Sequence, residues 1–178
     1  MKLKISKLLL ESALMFQARN DVRYYLNGIC FMPDGCIAST DGHRAFIGGS
    51  HENNLTENVI IKIGKSPIKR YEYAIIDTKT KIATYHDEAG VMVGAGICEE
   101  IDGRFPDIDR VIPKGTKAAE EIIFNAGYLV DIEKVAKLFN PKFRGVKFEL
   151  NGNTNAAVCC LNAPSGETAK IVVMPMRL

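Results

Sequence analysis

At 178 residues, 47% hydrophobic and 25% charged, the chain can bury a core as one large domain or as one and a half small ones. Its formal net charge of +2 neither demands nor excludes a polyanionic partner. No apolar run reaches membrane-spanning length, since Leu8-Leu9-Leu10 is broken by Glu11, and the opening lacks the pattern of a signal peptide.

In chain order, Lys2-Leu3-Lys4-Ile5 reads as a short strand, and Ser6 as the cap of a helix over residues 7–19. Strands follow over residues 24–32 and 36–40, joined by the turn signal Pro33-Asp34-Gly35, with a further strand after Arg44. The order is β-α-β-β-β. A worn copy comes next, with a strand over 58–63, a hairpin of 73–77 with 81–86 turning at Thr78-Lys79, and a strand within 89–101. Its helix slot holds only residues 64–70, where Pro67 opposes a long helix. The third copy has a strand over 120–124, then Asn125 capping a helix that ends at Asn140-Pro141. Strands are expected over 143–150, over 156–161 and after Glu167. In this helix Tyr128, Leu129, Ile132, Val135, Ala136 and Phe139 share the apolar face, with Asp131, Glu133, Lys134 and Lys137 opposite. Repetition of one unit about three times predicts an α+β fold with sheets on one side and helices on the other.

The chain ends apolar, at Met174-Pro175-Met176-Arg177-Leu178, where termini are usually polar and frayed. Alternation places Val172, Met174 and Met176 on one face. Pro175 cannot donate to a ladder, so pairing should stop there. Flexible thioethers at such an edge suit a surface that accepts a partner's side chains, and equally a last core strand.

Cys30, Cys36, Cys98, Cys159 and Cys160 form an odd set without C-x-x-C spacing, which reads as a reduced, cytoplasmic protein without a zinc site. His43, His51 and His86 have no second ligand at metal spacing, so neither metal nor cofactor is expected. Asp41 with His43 suggests an acid–base pair and Cys30 a nucleophile, but no oriented base or phosphate loop accompanies them. The chain is therefore read as non-catalytic.

Three segments go beyond pattern: Asp21-Val22-Arg23-Tyr24-Tyr25-Leu26-Asn27-Gly28, Thr40-Asp41-Gly42-His43-Arg44 and Asp102-Gly103-Arg104-Phe105-Pro106-Asp107. With the terminal Val-Met-Pro-Met-Arg-Leu they resemble, in order, the bacterial sliding clamp, the beta subunit of the replicative DNA polymerase. The resemblance implies a DNA-clamp fold in which each unit is half of a clamp domain. Residues 1–113 resemble the clamp's middle domain, and residues 118–178 the second half of its last domain.

The family's cleft between those domains binds short motifs on polymerases, the clamp loader and repair proteins. The matching positions are Leu26, Thr40, Gly42, His43, Arg44, Pro106, Arg110 and Val111 on one wall. On the other they are Val172, Met174, Pro175, Met176, Arg177 and Leu178. Ala45 stands where clamps carry a larger aliphatic residue, which should widen the cleft. Apolar walls would take aliphatic and aromatic side chains, with Arg44, Arg110 or Arg177 holding carboxylates. Two such side chains would supply roughly 3–6 kcal/mol before binding entropy, consistent with micromolar affinity.

By the same resemblance Arg19, Asn20, Arg23, Tyr24 and Tyr25 occupy a loop that can touch double-stranded DNA without reading its sequence. Read as plain structure, the arginines are solvated and the tyrosines begin a packed strand. A clamp ring holds about twelve half-domain units, so four chains of about three would match it as a homo-oligomer. The alternative is a mimic, of a kind a phage or prophage would carry, that competes for clamp-binding motifs without encircling DNA.

Overall fold

The computed structural model describes residues 1–177. β1 (Lys2–Ser6) leads into α1 (Lys7–Phe16), where the Ser6 hydroxyl accepts a hydrogen bond from the Leu9 N–H at 3.3 Å. The helix ends three residues earlier than its sequence suggests. Gln17 turns extended while its N–H still reaches the Ala13 carbonyl, and Ala18 N–H bonds the Leu26 carbonyl at 3.0 Å, drawing the chain away.

The single strand expected over 24–32 divides. Tyr24–Asn27 form a 3₁₀ turn and only β2 (Ile29–Phe31) is extended. Asp21 and Asn27 cause this, exchanging two hydrogen bonds at 3.0 and 2.9 Å that close a loop around the turn. β3 (Cys36–Thr40) and β4 (Arg44–Gly49) complete the first unit.

The second unit is β5 (Val59–Ile63), β6 (Tyr73–Asp77), β7 (Ile82–His86) and β8 (Met92–Ile101), with a loop in the helix slot, as Pro67 implies. It locks onto the first reciprocally: β1 pairs with β6 and β2 with β5. First strands thus pair with second strands across a local two-fold.

The third unit has α2 (Ala126–Phe139), capped by the Asn125 side chain at Gly127 N–H, then β9 (Phe148–Glu149), β10 (Ala157–Asn162) and β11 (Thr168–Val173). Two expectations fail here. Residues 120–124 enter no ladder, and the strand foreseen over 143–150 shrinks to β9. Val146, Phe148 and Leu150 alternate and residues 120–124 do not, and among the described residues neither segment has a ladder partner beyond the two β9 pairs with β10.

The sheet runs β1-β6-β7-β8-β5-β2-β3-β4-β11-β10-β9, so β4–β11 joins the first and third units. Both helices cover one face. Phe46 of β4 sits between Phe16 of α1 and Phe139 of α2, with ring centroids 6.1 and 6.4 Å away. Ile132, Val135 and Ala136 of α2 and Leu9 and Leu10 of α1 belong to the same buried cluster. Cys159 is buried and Cys160 exposed, as alternation requires, and all five cysteines are unpaired.

Because Phe46 bridges both helices, Phe46→Ala should lower stability by about 3–5 kcal/mol while unfolding stays a single transition. Urea melts followed by far-UV and near-UV circular dichroism check this. Separate melting of residues 118–178 would contradict a shared core.

Candidate functional site

The joint between β4 and β11 brings residues 43–45, foreseen on one wall, beside residues 172–174, foreseen on the other. Ala45 faces Val172 and Arg44 faces Val173 in the ladder, and Met174 N–H donates to the His43 carbonyl at 2.9 Å. Pairing between these strands ends there, before Pro175. Met176 N–H then bonds the Ile123 carbonyl at 2.7 Å, holding the tail across the third unit.

On the face away from the helices, Ala45, Ala156, Val158 and Val172 form a small buried cluster edged by Ile47 and Ile112. A second cluster, containing Leu26, Cys30, Ala38, Ile60, Phe105 and Ile108, lies beside it, and Ile47 touches both. Around this floor Val111, Met174 and Met176 remain 44%, 39% and 51% exposed. Three apolar side chains on two walls above a hydrophobic floor make a surface suited to a short apolar peptide.

Several foreseen cleft residues build the site instead of lining it. Leu26 is buried, so it is floor. The Thr40 hydroxyl donates to the Arg44 carbonyl at 2.7 Å and accepts from Gly42 N–H, closing the β3–β4 turn. Gly42 has φ +92°, and a Cβ there would lie 2.7 Å from an Arg23 guanidinium nitrogen. Asp41 accepts from the His43 and Arg44 amides at 2.9 and 3.0 Å, so its chemistry is that of a turn. Ala45, expected to widen the cleft, is instead covered by Val172 and 3% exposed.

Arg44 also departs from its expected role. Its guanidinium bonds Asp41 at 3.0 Å, Asp131 at 2.7 Å and the Met15 carbonyl at 3.2 Å. It lies 4.8 Å from the ring centroids of both Phe16 and Tyr128. It is thus a lock between β4, α1 and α2, with three of its five N–H donors engaged and its side chain 11% exposed, which leaves little access for a carboxylate ligand. Asp131, assigned to the solvated helix face, is half-buried in this lock. Burial pushes its carboxyl up, but hydrogen bonds from Lys134 and Arg44 outweigh that and hold it below its ordinary value. The signal that points to Asp131 and Tyr128 is their i, i+3 spacing beside the buried Ile132. His43 is exposed and stacks on Tyr128, with centroids 6.5 Å apart.

Pro106 and Arg110 stand on the segment that crosses the outer face. Arg110 pairs with Asp107 at 2.9 Å and is 84% exposed, free to re-pair with a ligand. Pro175 is half-buried and Arg177 exposed, while Leu178 lies outside the described residues. Cys30 is buried, and burial pushes its thiol up to about 12, which leaves it unreactive.

The five residues foreseen for DNA divide. Arg19 and Asn20 line a 730 Å³ cavity on the helix side, with Lys62, Lys65 and Lys134. Tyr24 and Tyr25 stand beside Arg104 and Arg110 in another, of 540 Å³. Arg23 is spent on Asp21, which it holds down to about 2, and on the Asp41 carbonyl. Sequence reasoning missed Lys62 and Lys65, which only β5 packing beside α1 brings near Arg19. Among the described residues, no helix is long and apolar enough to cross a membrane.

No protein-family model matches the chain. Its sequence is 32% identical over 160 residues to the beta sliding clamp of Salmonella typhimurium, taking in 83% of this chain and 42% of that protein. It is 31% identical over 179 residues to the beta sliding clamp of Proteus mirabilis, covering 94% and 47%. The chain thus spans just under half the length of these relatives. DNA polymerase III subunit beta from Pseudomonas aeruginosa superposes with a TM-score of 0.62 at 18% identity, over 100% of this chain and 67% of that one. The sliding clamp from Bartonella birtlesii, solved with griselimycin, gives 0.66 at 18% identity over 99% and 66%. At that identity the likeness shows the fold, which is that of the sliding clamps.

Because the Asp131 carboxyl is held below its ordinary value of 3.8, its stabilisation is fully present above that pH. It is lost as pH falls through the lowered value. Asp131→Asn should therefore cost about 1.5–3 kcal/mol at pH 7 and flatten the loss of stability below pH 3.8. Urea melts across pH check it, and an unchanged acid profile would remove Asp131 from the lock.

Proposed function

We propose that this chain, similar to the beta sliding clamps over just under half their length, is a non-catalytic processivity factor of DNA replication. Its cleft at the β4–β11 joint holds clamp-binding motifs of polymerases, the clamp loader and repair proteins. One observation supports this reading: a ladder between residues far apart in sequence sets Met174 against the His43 carbonyl, and Ile112, next to Val111, packs on the apolar cluster of Ala45 and Val172 at the same joint. The methionines adapt to a peptide's aliphatic and aromatic side chains, and Arg110 and Arg177 meet its polar groups. Arg19 and Asn20, with Lys62 and Lys65 beside α1, supply the sequence-independent contact to the backbone of duplex DNA.

A second reading has the same cleft acting as a mimic. It is favoured by the open sheet of a single copy, which ends at β9 and so does not close around DNA alone. Salt-sensitive retention on DNA separates the two, because the mimic needs none.

Fluorescence anisotropy with a peptide carrying a polymerase's clamp-binding motif should give micromolar affinity. Met174→Ala with Met176→Ala should weaken binding by roughly 10-fold or more. Removing residues 174–178 should abolish it while far-UV circular dichroism stays nearly unchanged. Equal binding by the truncated chain would overturn the site. On duplex DNA, Lys62→Ala with Lys65→Ala should reduce the slope of log affinity against log salt by about 2, and an unchanged slope would move the DNA contact elsewhere.

A further inference from the structure

The third unit repeats the first without its partner. In the first, β1 pairs on one side with β6 and on the other bridges Glu52, just past the fourth strand β4. In the third, residues 120–124 have the equivalent of that second contact, Met176 N–H to the Ile123 carbonyl, just past the fourth strand β11. The counterpart of β6 is missing. Residues 144–147 also make no backbone–backbone bond among the described residues, although they continue β9 and alternate as a strand. The apolar residues of β1 and β2, namely Leu3, Ile5, Ile29 and Phe31, are 0–1% exposed. Their counterparts Ile122, Phe124, Val146 and Phe148 are only partly buried, three of them against the edge of the core, and Phe143 is 69% exposed. Leu129 and Val130 of α2 are 39% and 52% exposed, although nearby positions are core.

We infer that two copies of this chain complete one clamp domain between them, each giving its third unit. The pairing rule is the one already inside the chain, first strand with second strand in both directions across a two-fold. Residues 120–124 of one copy pair with 143–150 of the other, and the reverse, so one isologous joint satisfies both orphan strands. The charges agree: Glu120 and Glu121 on the first strand meet Lys142 and Lys147 around the second, with Arg144, which pairs with Glu133 at 2.8 Å within its own chain, beside them. The internal template shows the same complement, with Lys2 facing Asp77 in the β1–β6 ladder. A second copy is the occupant because the surface is complementary to itself in strand order and in charge.

The other open edge belongs to β8, whose residues Met92 to Gly96 pair with β7 alone and carry no charge. β8 is a fourth strand, and fourth strands already pair in this chain as β4 with β11. Two dimers joined there make four chains, and every open strand then has a partner. This assembly deepens the processivity reading and rests on it for its purpose, while the joint rests on the pairing pattern alone.

Light scattering on the full chain tests it, with two charge variants. One is Glu120→Lys with Glu121→Lys; the other is Arg144→Glu with Lys147→Glu. The wild type should have the mass of two or four 19.6 kDa chains. Each variant alone should lose the third-unit joint, becoming a monomer or at most a dimer through β8, and an equimolar mixture should regain the wild-type mass. A wild type that stays monomeric at every concentration, variants that assemble unchanged, or a mixture that regains nothing would overturn the inference. So would preferential capture of a full-length clamp over a second copy. Peptide binding by the dissociated variants tests the cleft separately, because both of its walls lie within one chain. Its loss with assembly intact would sink the functional reading and leave the joint standing.

Discussion

Everything placed at the candidate site depends on one ladder between residues far apart in sequence, β4 against β11. Six residue pairs, from Arg44 with Val173 to Gly49 with Thr168, bind the first unit to the third. Closing such a contact over more than a hundred residues is entropically costly, and Phe46 and the Arg44 lock on the helix side help offset it. Phe46 supplies dispersion and burial. Arg44 adds direction, because a planar guanidinium held by Asp41, Asp131 and two aromatic faces tolerates little change in how α2 crosses β4. The edge of the joint inherits that rigidity, and around it Val111, Met174 and Met176 are exposed, with His43 stacked on Tyr128 of α2. Rigid backbone beneath flexible thioethers is a sound arrangement for binding varied short peptides.

Much of this was legible in the sequence because it is local. The Ser6 and Asn125 caps, the Pro33-Asp34-Gly35 turn and the loop at Pro67 each follow from a few neighbouring side chains. What was not legible depends on partners far along the chain. Asp131 reads as a solvated helical residue because its partner Arg44 is 87 positions away. Lys62 and Lys65 join Arg19 only after β5 packs near α1. Tyr24 and Tyr25 look strand-like, and it took the Asp21–Asn27 bonds to wind them into a 3₁₀ turn.

The failures at residues 120–124 and 143–147 are of another kind. Period-2 alternation, present at Val146, Phe148 and Leu150, encodes readiness to form a strand. A strand also needs a neighbour, and one copy of this chain does not hold it. Local pattern and single-chain structure disagree at the same face where apolar side chains remain uncovered. That coincidence gives the disagreement its physical meaning, and the β8 edge adds a second place where backbone donors and acceptors await pairing.

Residues distant in sequence are proposed to form one peptide-binding surface at the β4–β11 joint. Its most direct test is to titrate the chain with a clamp-binding peptide while following methionine methyl and backbone amide resonances. The largest shifts should fall together on His43, Val111, Met174 and Met176, with one affinity. Shifts confined to the cavity under Gly103 to Asp109, with both methionine methyls unmoved, would contradict it.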